Sequence, residues 1–441
     1  MKDSTSTETL TDIRHRCLRF AFLYFLIQSL PLSDEFFTLI VDRNWLDISY
    51  GDLFTLTRLT PKFVAGNETF LNWLIIVILA LTGTIIWENS KWKYFDFDGL
   101  YYWLRVIVRY RLAIGILGFG FLKLFPMQAP YPSLSNLHTN YGDLSDWKMF
   151  SMSLGIVPAY ESFLGAVEIL AGLLLLFRKT ATLGATIVLI FTGNVFISNL
   201  AYDGGEYVYS FYLISFALFV LSFDAVRIFT LISLNRPAQP NHFTLRLQGK
   251  MKIARLVSKG LIIFVFVFLY GIMAYSGFQN DPYQFPQKPG LANASGLYNV
   301  REFRINGKTL PYSLTDSIRW RDVVFEKWAT LSVRSRRPVI IDSTNFEKIN
   351  KNNFDRNYEL SGIASRHYYS YGIDPSNGTI LLKNKNKNYP GDELQFRISK
   401  PDSLTIILTG SDQKKDSLYV VLEKIQKKYP LYLGRRNPLT L

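Results

Sequence analysis

Cysteine is almost missing from this 441-residue chain, with Cys17 the single one. One thiol excludes an internal disulfide, a Cys-ligated iron–sulfur cluster and a Cys-cluster zinc site. Any part outside the cell must therefore fold without staples. Histidine is scarce too: His15, His138, His242 and His367 are scattered, with no HExxH motif and no two on one apolar helix. A metal site, or a haem held between histidines on facing helices, is not expected. Charge is thin at 19% of residues, against 49% hydrophobic and 15% aromatic. That is too apolar for one soluble domain and too charged to lie wholly in lipid, so a membrane part and a soluble part are expected.

What the chain has instead is a basic excess and long apolar runs. Lys+Arg number 49 against 35 Asp+Glu, a net charge of +14. Runs long enough to cross about 30 Å of hydrocarbon lie at about 17–33, 70–87, 106–127, 160–177, 180–201, 207–223 and 260–278, which predicts seven transmembrane helices. The first lacks a small-x-small cleavage site and reads as an anchor. The basic residues fall in alternate connections: Arg14, Arg16 and Arg19; Lys91, Lys93, Arg105 and Arg109; Arg178 and Lys179; then Arg227, Arg236, Arg246, Lys250, Lys252, Arg255 and Lys259. The bias of positive charge toward cytoplasmic loops then places the N-terminus inside and everything after about residue 280 outside. With Asp224 its sole acid, the last of these loops should lie on anionic headgroups. The charge thus points to lipid and orientation and not to nucleic acid.

Ionisable groups at bilayer depth are costly unless they face a bundle interior or a wet cavity. Glu161 and Glu168 are seven residues apart and share one helix face. With Lys123, Asn194, Asn199, Tyr202 and Asp203, they fall by topology near the outer leaflet or the midplane. Two readings stay open. One is an interhelical network that holds the bundle. The other is a polar pocket in which Glu168 and Lys123 act catalytically, Glu168 as proton carrier, and Glu161, Asn194, Asn199, Tyr202, Asp203 and His138 contact a ligand. No metal ligand is assigned. The long loop from Gln128 to Ala159, with His138, Asp143 and Trp147, reads as a cap on the membrane bundle, and His138 beside Asp143 as a proton shuttle or an ordinary surface residue.

Several of these residues carry a resemblance. Arg111-Leu-Ala-Ile-Gly, Gly120-Phe-Leu-Lys123-Leu-Phe-Pro126, Gly165-Ala-Val-Glu168-Ile-Leu-Ala-Gly172, the Arg178 turn, Gly193-Asn194-Val and Asn199-Leu-Ala-Tyr202-Asp203 lie within a stretch of about Tyr101 to Leu231. This stretch resembles the DoxX-like membrane family, four-helix proteins related to the small subunit of thiosulfate:quinone oxidoreductase. The resemblance implies an integral membrane protein linked to quinone or thiol redox chemistry, a partner of other subunits, with quinone the one cofactor to consider and none bound covalently. Two extra spans before the block, a basic loop and seventh span after it, and an appended external domain depart from the compact family pattern.

From about Gly296 the texture changes to short alternating segments with turn residues between them. Asn306-Gly307 and Asn377-Gly378 mark hairpins, and an antiparallel meander of 8 to 10 strands follows, an all-β barrel or sandwich. The pattern looks like a lipocalin-type barrel, a likeness of fold only. Trp320, Trp328 and Tyr368 to Tyr371 read as core and rim aromatics, and the Lys383-Asn-Lys-Asn-Lys-Asn run as a solvated hairpin tip. The expected organisation is a two-helix membrane segment at 1–100, a four-helix bundle at 101–231, a basic loop and seventh helix at 232–278, a linker at 279–295 and a periplasmic β-domain at 296–441. The setting is a bacterial inner membrane. Two functions compete: a redox-linked, quinone-associated accessory subunit, or a non-catalytic scaffold whose β-domain recruits a protein partner for envelope assembly or export. Whether it is an enzyme stays open.

Overall fold

The computed structural model describes residues 2–42, 45, 47–64, 68–90, 97–239, 248–345, 347–374 and 376–433. Lys91, Lys93, His242 and Arg246 lie outside the described residues. The chain divides into two compact units, each assembled from three separate stretches.

The first unit, Met1–Phe125, Ser162–Ala201 and Glu206–Gly277, is helical. Its helices are α1 (Lys2–Ser29), α2 (Asp34–Val41), α3 (Tyr50–Arg58), α4 (Phe70–Glu88) and α5 (Phe97–Leu124). After two short helices of the other unit, α6 (Leu134–Leu137) and α7 (Asp146–Gly155), come α8 (Pro158–Leu175), α9 (Ala181–Ala201), α10 (Tyr207–Ser222), α11 (Ala225–Ile232) and α12 (Gly249–Asn280). Local chemistry sets several ends. Pro31 follows α1, where a ring without an N–H cannot continue a helix. Ser49 and Asp52 close a reciprocal capping box at the start of α3. Among the described residues α4, α8, α9 and α12 are long and apolar enough to cross a membrane, and α10 with α11, bent by 72°, makes a fifth span if counted as one. Their outward faces suit lipid: Leu74, Ile78, Ile85, Ile190 and Ile197 are all exposed.

That number differs from the expected seven for a physical reason. α1 contains Arg14, Arg16 and Arg19, and α5 contains Arg105, Arg109, Arg111 and Lys123. Several of these cations are matched within the unit. Arg105 meets Asp224 at 3.2 Å, and Thr182 donates to the same carboxylate at 2.6 Å. Arg111 donates to the Thr57 and Leu59 carbonyls at 2.6 and 2.5 Å, satisfying the open C-terminal end of α3. Asp224, expected in a loop on headgroups, is buried. The expected basic loop is also partly helical. Lys250, Lys252, Arg255 and Lys259 belong to α12, whose 32 residues span about 48 Å and so outrun the hydrocarbon.

The second unit is Pro126–Glu161, Tyr202–Gly205 and Phe278–Leu441. Its strands are β1 (Gly296–Ile305), β2 (Lys308–Thr309), β3 (Asp322–Phe325), β4 (Thr330–Arg334), β5 (Arg366–Asp374), β6 (Thr379–Asn384), β7 (Glu393–Ser399), β8 (Thr405–Asp412) and β9 (Ser417–Lys424). All pair antiparallel with their neighbours, and β1 also pairs with β9. Leaving aside the two-residue β2, eight strands close a barrel, which removes exposed sheet edges. Asn306 and Gly307 both take positive φ, 49° and 77°, as the tight turn between β1 and β2 requires. Inward side chains from around the barrel, with Trp320 ahead of β3, supply a core of Phe303, Trp320, Leu331, Tyr369, Tyr371, Phe396 and Leu408 among others. The segment 338–341 is irregular. The expected linker packs on the barrel, where Pro289 bridges Trp328 and Leu291 N donates to Tyr371 Oη at 2.8 Å.

The loop from Gln128 to Ala159, expected to cap the bundle, folds into the barrel unit. β3, β4 and the first half of β5 are buried on both faces. Val323, Phe325, Leu331, Val333 and Tyr369 point inward. The alternate residues Asp322, Ser332, Arg366 and Tyr368 point outward, and hydrogen bonds to Ser135, Asn136 and the His138 carbonyl cover that face. The supposed solvated tip is corrected as well. The Lys385 side chain is fully buried and bonds Glu359 at 2.8 Å, because the loop that precedes β5 folds over it.

Candidate functional site

In the helical unit α5 and α8 touch backbone to backbone. A Cβ placed on Gly165 would stand 2.2 Å from Leu124 N and 2.6 Å from the Gly120 carbonyl, so only glycine permits the approach. Glu168 follows three residues later on the same face and Lys123 comes from the facing helix. Lys123 Nζ donates to Glu168 Oε1 at 2.5 Å. The Glu168 residue is 4% exposed, and its Oε2 is buried with no hydrogen-bond partner among the described residues. A carboxylate with one oxygen bound to a cation and the other free can hold a charge or accept a proton.

The other expected residues do not gather at this pair. Asn194 is exposed. Asn199 serves its own chain, donating to the Val195 carbonyl at 2.9 Å and accepting from Glu206 N at 3.2 Å, and so closes the turn into α10. Glu161 belongs to the barrel unit, where its Oε1 accepts from Gln128 N and Ala129 N at 2.9 and 3.0 Å. Tyr202 stacks on Phe150 with centroids 4.6 Å apart, and the Asp203 carbonyl accepts from Asn345 at 2.5 Å. His138 Nε2 bonds the Tyr429 hydroxyl at 2.8 Å. Asp143 instead accepts from Asn140, so the expected shuttle pair is not formed.

Sequence reading missed a dense polar layer on the covered face of the barrel. Glu326 accepts from the Ser135 hydroxyl at 2.6 Å and the Ser135 amide at 2.7 Å. Burial, with the Glu359 charge nearby, pushes the Glu326 carboxyl up to about 7 despite these bonds. Lys148 is buried, donates to the Tyr358 carbonyl and lies 3.7 Å from the Tyr358 ring centre, and burial pushes its ammonium down to about 7. Arg366 bridges Asp322 at 2.8 Å and the Ser332 hydroxyl at 2.9 Å. Nothing local in sequence marks these partners, since Ser135 and Glu326 stand 191 residues apart. No group of three or more His, Cys, Asp or Glu suited to a metal ion occurs among the described residues.

Fold and site together define an assembly of apolar helices, compatible with a membrane protein, joined in one chain to an eight-stranded antiparallel barrel. Comparison of the chain with known families, characterised proteins and solved structures finds no match in any of the three.

Proposed function

We propose that this chain is an integral membrane accessory subunit of the DoxX-like kind, redox-linked, with its barrel on the periplasmic side of a bacterial inner membrane. In this reading Glu168 exchanges a proton with a quinone-like molecule and Lys123 balances the carboxylate charge. Electrons come from a partner subunit. The observation that supports it is the asymmetry of the Glu168 carboxylate, one oxygen bound to Lys123 and the other buried and unbonded. The second reading, a scaffold in which the pair only clamps α5 to α8, draws support from the dispersal of Asn194 and Asn199.

One pair of variants separates the two. Glu168→Gln keeps shape and hydrogen bonding while removing the titratable proton. If Glu168 carries protons, Gln leaves the thermal midpoint near wild type and abolishes quinone-linked activity. If the pair is a clamp, Gln is tolerated in every assay and Glu168→Leu, which strands Lys123 without a partner, lowers stability by about 3–5 kcal/mol. Wild-type behaviour of both variants would refute both readings of the pair.

A further inference from the structure

At one end of the helical unit the cations outnumber the acids beside them. Arg109 is 8% exposed, and its neighbours are the Tyr110 hydroxyl, which bonds it, the Tyr102 phenol and another cation, Arg178. Arg105 and Lys259 lie in the same electrostatic neighbourhood. Asp224, the acid that meets Arg105 here, is already shared with Thr182. Among the described residues neither Arg109 nor Lys259 forms an ion pair. Arg109 Nε is buried without a hydrogen bond, so contact with an anion falls to its terminal nitrogens, and the Lys259 ammonium lies 4.1 Å from the Phe177 ring centre. Like charges gathered out of water repel. The arrangement calls for an added anion.

The surroundings say what body that anion carries. Arg178 lies in the turn between α8 and α9, both long and apolar enough to cross a membrane, so the cluster is level with one membrane surface. No residue of 249–263 is buried, so the first half of α12 flanks the bundle without packing into it. Phe177, beneath Lys259, and Leu256 and Leu261 on the same stretch of α12 are each more than half exposed. A free phosphate would answer the charge and leave this apolar surface uncovered. A phospholipid answers both, because its phosphate sits at the headgroup level and its chains continue into the hydrocarbon.

We propose that an anionic phospholipid docks between the first half of α12 and the bundle, its headgroup accepting from Arg109, Arg178 and Lys259 and its acyl chains lying along Phe177 and the exposed leucines of α12. The lipid is the counter-ion of the cluster and ties α12 to the rest of the unit. This inference rests on the membrane reading of the helices and not on the role given to Glu168.

The probe is phosphatidylglycerol. The full chain is reconstituted in nanodiscs of phosphatidylcholine and phosphatidylglycerol in equal parts and released into mild detergent, and the phospholipid it retains is identified by mass spectrometry. Phosphatidylglycerol should be retained in excess. Arg109→Gln and Lys259→Gln should each cut that retention about fivefold. Lys250→Gln combined with Lys252→Gln removes two exposed charges from the same helix and should leave it unchanged. Thermal melts in phosphatidylcholine alone check that the variants fold, and if Arg109→Gln does not, the partly exposed Lys259 decides. A chain that fails to enter nanodiscs overturns the membrane reading. One that enters yet retains both lipids alike, or loses retention equally in the Lys250 and Lys252 variant, overturns the site. Displacement of the lipid by inorganic phosphate overturns the assignment to a phospholipid.

Discussion

Lys385 and Glu359 show what single residues do in the covered layer of the barrel. Neither side chain has any exposed surface, and Glu359 also accepts from Trp328 Nε1 at 2.9 Å. Removing one member of such a pair leaves an uncompensated buried charge. Lys385→Met should therefore destabilise the protein by about 3–5 kcal/mol, while the double variant with Glu359→Gln, which keeps an acceptor for Trp328, should recover most of it. Urea titration of both measures the difference, and an additive double variant would show that the charges are not coupled. His367 supplies the pH test. Burial, with Arg337 nearby, pushes its imidazole from 6.5 down to about 4, so the unfolded chain takes up that proton first as the medium is acidified. Stability is then lost from about pH 6.5 to about 4, by at most about 1.4 kcal/mol per pH unit for one proton. His138, also pushed down to about 4, works in the same direction. Glu326, raised from 4.5 to about 7, opposes both, because the folded form holds its proton in that window. His367→Phe should flatten the acid limb of the stability profile, and an unchanged slope would mean that the ring titrates alike in both states.

At the scale of elements, the helices and strands differ in how openly the sequence announces them. β6 and β7 alternate cleanly, and the Asn306-Gly307 turn identifies its hairpin. β3 to β5 hide their alternation, since a residue stretch 160 or more positions upstream covers the outward face and both parities become buried. The Lys123–Glu168 pair was legible because a carboxylate near the midplane needs a partner, and Lys123, late in α5 toward the outer leaflet, supplies a cation. Asn194 was misplaced for a geometric reason: it follows buried Thr192 by two residues, about 200° around the helix, and so faces away. Two element-scale variants test this account. Gly165→Leu should separate α5 from α8 and lower the thermal midpoint with loss of compactness, since its Cβ would enter backbone and not flexible side chain. The barrel expressed as Gly296–Leu441 should give a β-type circular dichroism spectrum but melt at a lower temperature than a version with residues 126–161 fused ahead of it, because Glu326 and Arg366 lose Ser135 and the His138 carbonyl. Equal melting of the two would mean that the covering segment contributes nothing to stability.

For the whole molecule, the lone exposed Cys17 makes orientation measurable. In a Cys17→Ser background, which should retain full function, a cysteine introduced at exposed Ser403 should react with a membrane-impermeant maleimide in intact spheroplasts. One introduced at exposed Ser233 should react only after lysis, and the reverse pattern would invert the proposed topology. The three-stretch composition of the barrel unit also has a consequence for synthesis. Ser135 leaves the ribosome 191 residues before Glu326, which at about 5–20 residues per second is a delay on the order of 10 to 40 seconds. Throughout that interval Ser135, Asn136 and Lys148 lack the groups that later surround them. A nascent chain in this condition is an open substrate for proteases and a client for holdase chaperones. Completion of the final strand, which closes β9 onto β1, then marks the moment at which the newborn protein passes quality control.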